Sequence, residues 1–261
     1  MIHLSPQKGV YAIFCLYSLA LGAIFPRLGD LQLQMDVSKA VLGLSIIGAA
    51  LGVQVSLLFA GRILRMTGFR AAVILGIPLI SGAELIASYM PGPLGFFGWL
   101  FVAGLVIGLV EVAVNVEADR VEYQIKRRVM NRCHAFWSFG FFGAGLIGAF
   151  VAEARISVST HLAGFLIVTS LATLFLVVRY SPAAPRPTEE GQDVKFVRPT
   201  KPILLLVMLT LSAMLLEGAS IDWSVIFMRD VFATPPFVSG LALALGAFSQ
   251  FVVRFFADHH V

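Results

Sequence analysis

The chain has 261 residues, 58% of them hydrophobic and only 13% charged, with a formal charge of +4. Soluble domains carry about 25% charged residues, so this balance excludes an ordinary soluble protein and points to a multi-pass membrane protein. No basic stripe interleaved with aromatic residues suggests nucleic acid, and Cys15 in an apolar run and Cys133 beside a basic cluster do not make a disulfide framework.

A helix needs about 20 apolar residues to cross a hydrocarbon core of ~30 Å. Eight runs qualify or nearly so: 9–26, 40–60, 71–90, 94–118, 134–152, 162–178, 203–228 and 237–256. Lys8 and Ala20-Leu21-Gly22 imitate a signal peptide, but the first run reads as a retained span. Pro78 should bend the third span, because it removes one backbone hydrogen bond. Gly140, Gly143, Gly145 and Gly148 in the fifth read as close helix packing rather than a hinge. Segment 180–201 holds Pro182, Pro185, Pro187 and Pro199, borders Pro202, and carries charges of both signs. It reads as a flexible cytoplasmic linker, dividing a six-helix group over 1–179 from a second group, with two spans, over 202–261.

Basic residues set the orientation. Lys8, Arg62, Arg65, Arg70, Arg120, Lys126, Arg127, Arg128, Arg132, Arg179, Arg186, Lys195, Arg198, Lys201 and Arg254 fall on one side. Arg27, Lys39, Arg155 and Arg229 fall on the other. The positive-inside rule then puts the N-terminus and the linker in the cytoplasm, with Arg127, Arg128 and Arg132 beside anionic lipid.

The polar residues inside the spans are the candidate sites. Glu111, Asn115 and Asp119 stand at i, i+4 and i+8, one stripe of a helix, and Glu122 continues it. A carboxylate as deep as Glu111 is costly unless it faces packed helices or a wet cavity, so Glu111 and Asn115 are the leading proton- and substrate-binding candidates. Asp119 and Glu122, near the basic loop, read as partners of Arg120 or Lys126. Glu217 lies about 22 Å into its helix at 1.5 Å per residue, a second cavity acid with Ser220 and Ser224 on its face. Asp222 and Trp223 read as a substrate or gate position; an outer ion pair between Asp222 and Arg229 is the competing reading. Glu84 reads as structural, and His134 as interfacial. No His or Cys stands at metal spacing, and no cofactor is implied.

Two short echoes suggest parallel repeats: Val41-Leu42-Gly43-Leu44 with Val238-Ser239-Gly240-Leu241, and the segments starting at Gly61 and at Arg254. The order of spans, with Gly61, Gly68 and Arg70 after the second, resembles the major facilitator superfamily. Arg65 stands where that family has Asp, whereas Asp258 keeps the acid in the second copy. Val110-Glu111-Val112-Ala113-Val114-Asn115, followed by Arg128, Asn131, Phe136, Ser138, Phe139 and Gly140, is similar to the fucose-permease-like branch. Glu217-Gly218-Ala219 and Asp222-Trp223-Ser224 resemble its small bacterial inner-membrane members.

The resemblance implies an all-α bundle of twelve helices, of which this chain would hold about eight and end early. It also implies a proton site at the position of Glu111. The permease pairs that Glu with an Asp on the first helix, and none occurs in 9–26. The expectation is a multi-pass carrier of the bacterial inner membrane, with its N-terminus in the cytoplasm. It would move a small polar solute by alternating access, coupled to protons through Glu111 and Glu217. The alternatives are a non-transporting sensor or assembly partner that keeps the fold, or an inactive fragment. No HExxH or Gly-x-Ser-x-Gly motif supports an enzyme.

Overall fold

The computed structural model describes residues 4–187 and 198–257, and among them every regular element is helical. The order is α1 (Pro6–Gly22), a 3-10 turn (Phe25–Arg27), α2 (Leu28–Gln34), α3 (Lys39–Ser88), α4 (Pro93–Ile125), α5 (Met130–Glu153), α6 (Val158–Arg179), α7 (Lys201–Phe232) and α8 (Pro236–Ala257). Among the described residues, seven stretches are long and apolar enough to cross a membrane. One of these, α3, holds both the second and third of the eight sequence runs.

Local chemistry sets the boundaries. The hydroxyls of Ser5, Ser38 and Ser157 accept from the amides of Lys8, Val41 and Thr160, capping α1, α3 and α6. Pro6 and Pro93 begin α1 and α4, where a proline lacks no needed hydrogen bond. The break within α3 falls at Gly68, with φ 77° and ψ 162°, which an L side chain would resist. Pro78 keeps helical torsions, so the interruption lies at the glycine rather than the proline.

The core runs between the helices, with Phe14 and Tyr17 of α1, Val73 and Ile77 of α3, Val114 of α4 and Phe141 of α5 fully buried, and it takes in Val225 of α7 and Leu243 of α8. Small residues let the backbones close. A Cβ on Gly140 would meet the Cys15 carbonyl at 2.1 Å, and one on Gly240 would meet Ala149 at 2.5 Å. The same helix, α5, therefore packs tightly on α1 through one face and on α8 through another. Gly143 meets only Leu19 at an ordinary 3.5 Å and takes no part in this close approach. By contrast, residues 201–216 of α7 are exposed throughout, and only its later part packs on α8 and the 3-10 turn.

Charged residues collect at the two ends. At one end Arg27 donates to the Ile156 carbonyl at 2.8 Å, and Lys39 pairs with Asp230 at 2.7 Å. There too Arg229 donates to the Gly29 carbonyl and to Gln32 Oε1, both at 2.9 Å. At the other end the segment after α6 is pinned where the sequence suggests a flexible linker. Fully buried Tyr180 donates its hydroxyl to Glu117 Oε1 at 2.6 Å, and the Ala183 amide donates to the same oxygen at 2.7 Å. Arg70 completes the knot by donating to the Tyr180 carbonyl at 2.8 Å. Burial and the Glu117 charge push the Tyr180 phenol well above its ordinary pKa, so it stays a donor. Lys195, Asp258, His259 and His260 lie outside the described residues.

Candidate functional site

Glu111 is half-buried on α4. Its Oε1 accepts from Asn115 Nδ2 at 2.9 Å, and the same amide donates to the Glu111 carbonyl at 2.9 Å. The i, i+4 stripe thus closes on itself, leaving the carboxylate with a neutral partner. Two side chains from other helices join it. Tyr17 of α1 donates its hydroxyl to the Ile107 carbonyl at 3.5 Å, one turn before Glu111 on α4. His134 of α5 stands edge-on to Phe14, with ring centroids 5.5 Å apart, and feels the charges of Glu111, Arg254 and Glu217 together.

The second acid is neutralised. Arg254 of α8 reaches Glu217 Oε1 of α7 at 3.2 Å and donates to Ser138 Oγ of α5 at 2.9 Å. This arginine, counted above with the cytoplasmic charges, lies within α8 and turns into the bundle. Glu217, Ser220 and Gln250 line a cavity of about 40 Å³ with Trp137 and Phe141. A water needs ~10–15 Å³ of such space, so the cavity is wet-sized rather than solute-sized. Ser220 donates back to the Leu216 carbonyl at 2.8 Å, while half-buried Ser224 has its hydroxyl oxygen enclosed and unpartnered.

The structure therefore gathers Glu111, Asn115, His134, Glu217 and Arg254 from four helices. Asp222 and Trp223 stand apart. The Trp223 ring lies against Gly43 of α3, 3.1 Å from where a Cβ would project. Asp222 is half-buried and makes no hydrogen bond or ion pair among the described residues. The Asp222–Arg229 pair is not formed. Seven residues separate the two by about 10 Å along the helix, and Arg229 instead engages Asp230, Gly29 and Gln32.

Asp119 and Glu122 also find other partners than the sequence suggests. Asp119 pairs with Arg186 at 2.8 Å. Glu122 accepts from the amides of Val129 and Met130 at 2.8 and 3.2 Å, capping the start of α5. Glu84 is 2% exposed, with one oxygen unpartnered, beside an apolar cavity of about 30 Å³.

Two residues escaped the sequence reading. His134 reads as interfacial from its place beside Arg132; in the structure it is half-buried and close enough to Glu111, Glu217 and Arg254 to feel their charges. Glu117 lies about 120° round the helix from Glu111, at 100° per residue. Its partners come from beyond α6, and no local pattern announces them.

Comparison with known proteins finds sequence relatives and structural neighbours. An uncharacterized transporter of Sinorhizobium fredii is 30% identical over 253 residues, which is 96% of this chain and 66% of that protein. An uncharacterized MFS-type transporter of Yersinia pestis is 23% identical over 259 residues, 99% of this chain and 66% of that protein. Among solved structures, the nucleoside transporter NupG aligns with a TM-score of 0.62 at 14% identity, over 97% of this chain and 66% of that one. The chain thus spans just under two thirds of the length of each. No protein-family profile matches it.

Proposed function

We infer that this chain, whose fold is of the major facilitator type, serves as a carrier of that superfamily, moving a small polar solute across the bacterial inner membrane by alternating access. The sequence resemblance favours its fucose-permease-like branch, and the basic loops favour a cytoplasmic N-terminus. The observation that carries the reading is Glu111: a mid-span carboxylate held by a neutral amide, with His134 of α5 near enough to feel its charge and those of the Glu217–Arg254 pair. A carboxylate so held can gain and lose a proton without breaking an ion pair, as a proton-coupled cycle requires. Glu217, tied to Arg254, would instead hold charge balance across the α7–α8–α5 junction. Asn115 and Gln250 supply the neutral donors and acceptors that a polar solute needs.

Fold does not fix the substrate. Nucleosides come first in a test panel because NupG is named for them; sugars follow from the helix α4 resemblance. The test is counterflow into proteoliposomes loaded with each unlabelled solute. Saturable accumulation of one labelled solute supports the reading, and none with any solute overturns it. A second reading, a non-transporting sensor with the same fold, is favoured by Arg65 in place of the family's Asp. A thermal shift with a solute that shows no flux would select it.

A further inference from the structure

We propose that the cleft between α5 and α6 binds a neutral alcohol dissolved in the membrane, with its hydroxyl on His161. Both helices pack on α1 but hardly on each other, and between them lies a cavity of about 320 Å³. That is the lower end of ligand-sized cavities, about 300–1,000 Å³. Leu19 of α1, Ile147 and Val151 of α5, and Phe165 and Val168 of α6 give it an apolar lining. Ile147 and Val168 are exposed, so the cleft opens on the outside of the spans.

His161 distinguishes this cleft from a packing gap. It stands in the first turn of α6, lines the cavity and is 5% exposed, yet neither ring nitrogen has a hydrogen-bond partner among the described residues. Its ring lies perpendicular to that of Phe165, with centroids 4.8 Å apart. Buried polar groups are rarely left so, because losing water without gaining a partner is costly. A water would not repair it. Buried waters make about three hydrogen bonds, and Thr160, which already accepts from Ser157 Oγ at 2.7 Å, is the other polar side chain in the lining.

The lining also sets the chemistry of the occupant. No Asp, Glu, Lys or Arg lines the cleft, so an ionised headgroup would find no counter-charge there. A neutral imidazole carries one N–H and one bare nitrogen, and a hydroxyl can serve either because it both donates and accepts. A carbonyl could serve only the first. Direction fits as well. Val168 comes seven residues after His161, about 10 Å further along the helix from its start. The hydroxyl would thus lie toward the interface and the chain toward the midplane, as a lipid alcohol is already oriented in a bilayer. Gly164 stands between them, and a Cβ built there meets nothing within 4 Å. The site is separate from Glu111, and its failure would leave the transport reading untouched.

The test is photolabelling in phosphatidylcholine nanodiscs with a long-chain alcohol that carries a diazirine in its chain, the labelled residues being read by mass spectrometry. Wild type should label saturably within 147–168, and decanol should compete where decane at the same mole fraction does not. Gly164→Leu fills the cleft at an exposed position with room for the side chain, and should abolish the label there. His161→Phe keeps a ring but no hydrogen bond, and should weaken saturation roughly three- to tenfold, the worth of one hydrogen bond. His161→Gln should recover part of that loss. Should His161→Phe fail to fold, Gly164→Leu and the decane competition still decide. Labelling of 147–168 that does not saturate, that decane competes as well as decanol, or that either folded variant leaves unchanged would overturn the proposal.

Discussion

Two carboxylates on the same helix, six residues apart, are held in opposite ways. Glu117 is fully buried and accepts from the Tyr180 hydroxyl and the Ala183 amide, closing a knot that ties the segment after α6 to α3 and α4. Glu111 is half-buried, meets one neutral amide and lies near His134 of another helix. Burial alone therefore does not mark the residue proposed to work. What differs is the partners. Hydrogen bonds to fixed groups make a carboxylate a fastener, whereas a neutral partner beside titratable neighbours leaves it able to change state.

The contrast predicts a graded series. The largest effect should come from Glu117→Ala, which strips the buried Tyr180 hydroxyl and Ala183 amide of their acceptor. Two charge-assisted hydrogen bonds at ~1.5–3 kcal/mol each suggest a loss of about 3–6 kcal/mol, read as thermal unfolding in detergent. An unchanged melting temperature would break the comparison at its structural end. Tyr180→Phe removes one of those bonds and should cost about 1–3 kcal/mol. It should also open the segment after α6 to proteases, which Asp119→Asn should do far less.

Smaller effects sharpen the other side. Arg254→Gln leaves Glu217 without its cation. The pair is about 30% exposed on each side, so the stability change should stay within ~1 kcal/mol while solute flux falls; normal flux would remove Glu217 and Arg254 from the site. Asp119→Asn breaks a pair with Arg186 that is 44% exposed at the aspartate. Screening by solvent keeps its worth within about 0–1 kcal/mol, the smallest change in the series.

The sequence carried much of this fold, for physical reasons that also explain where it fell short. Span lengths follow from the lipid core, so the eight runs reappear in the helices. The break after the second run was legible as the gap 61–70 with its basic residues, but not that helix would continue through it on both sides of Gly68. The Glu111–Asn115 bond was legible because i, i+4 spacing makes neighbours on any helix. Glu117 was not, since its partners lie 63 and 66 residues away. The roles of Arg254 and Arg229 were hidden likewise. Each is a long side chain whose reach depends on which helix stands opposite, and Arg229 meets residues 197 and 200 positions earlier.

The most direct test of the account measures proton-driven uphill uptake of the solute found by counterflow, with Glu111→Gln and Glu117→Gln compared against wild type. Glu111→Gln should keep its melting temperature and its downhill exchange but lose accumulation driven by a pH gradient. Glu117→Gln should lose stability and, in the fraction that stays folded, keep the coupling. A Glu111→Gln protein that still concentrates solute in a proton gradient would contradict the assignment of Glu111 as the coupling carboxylate.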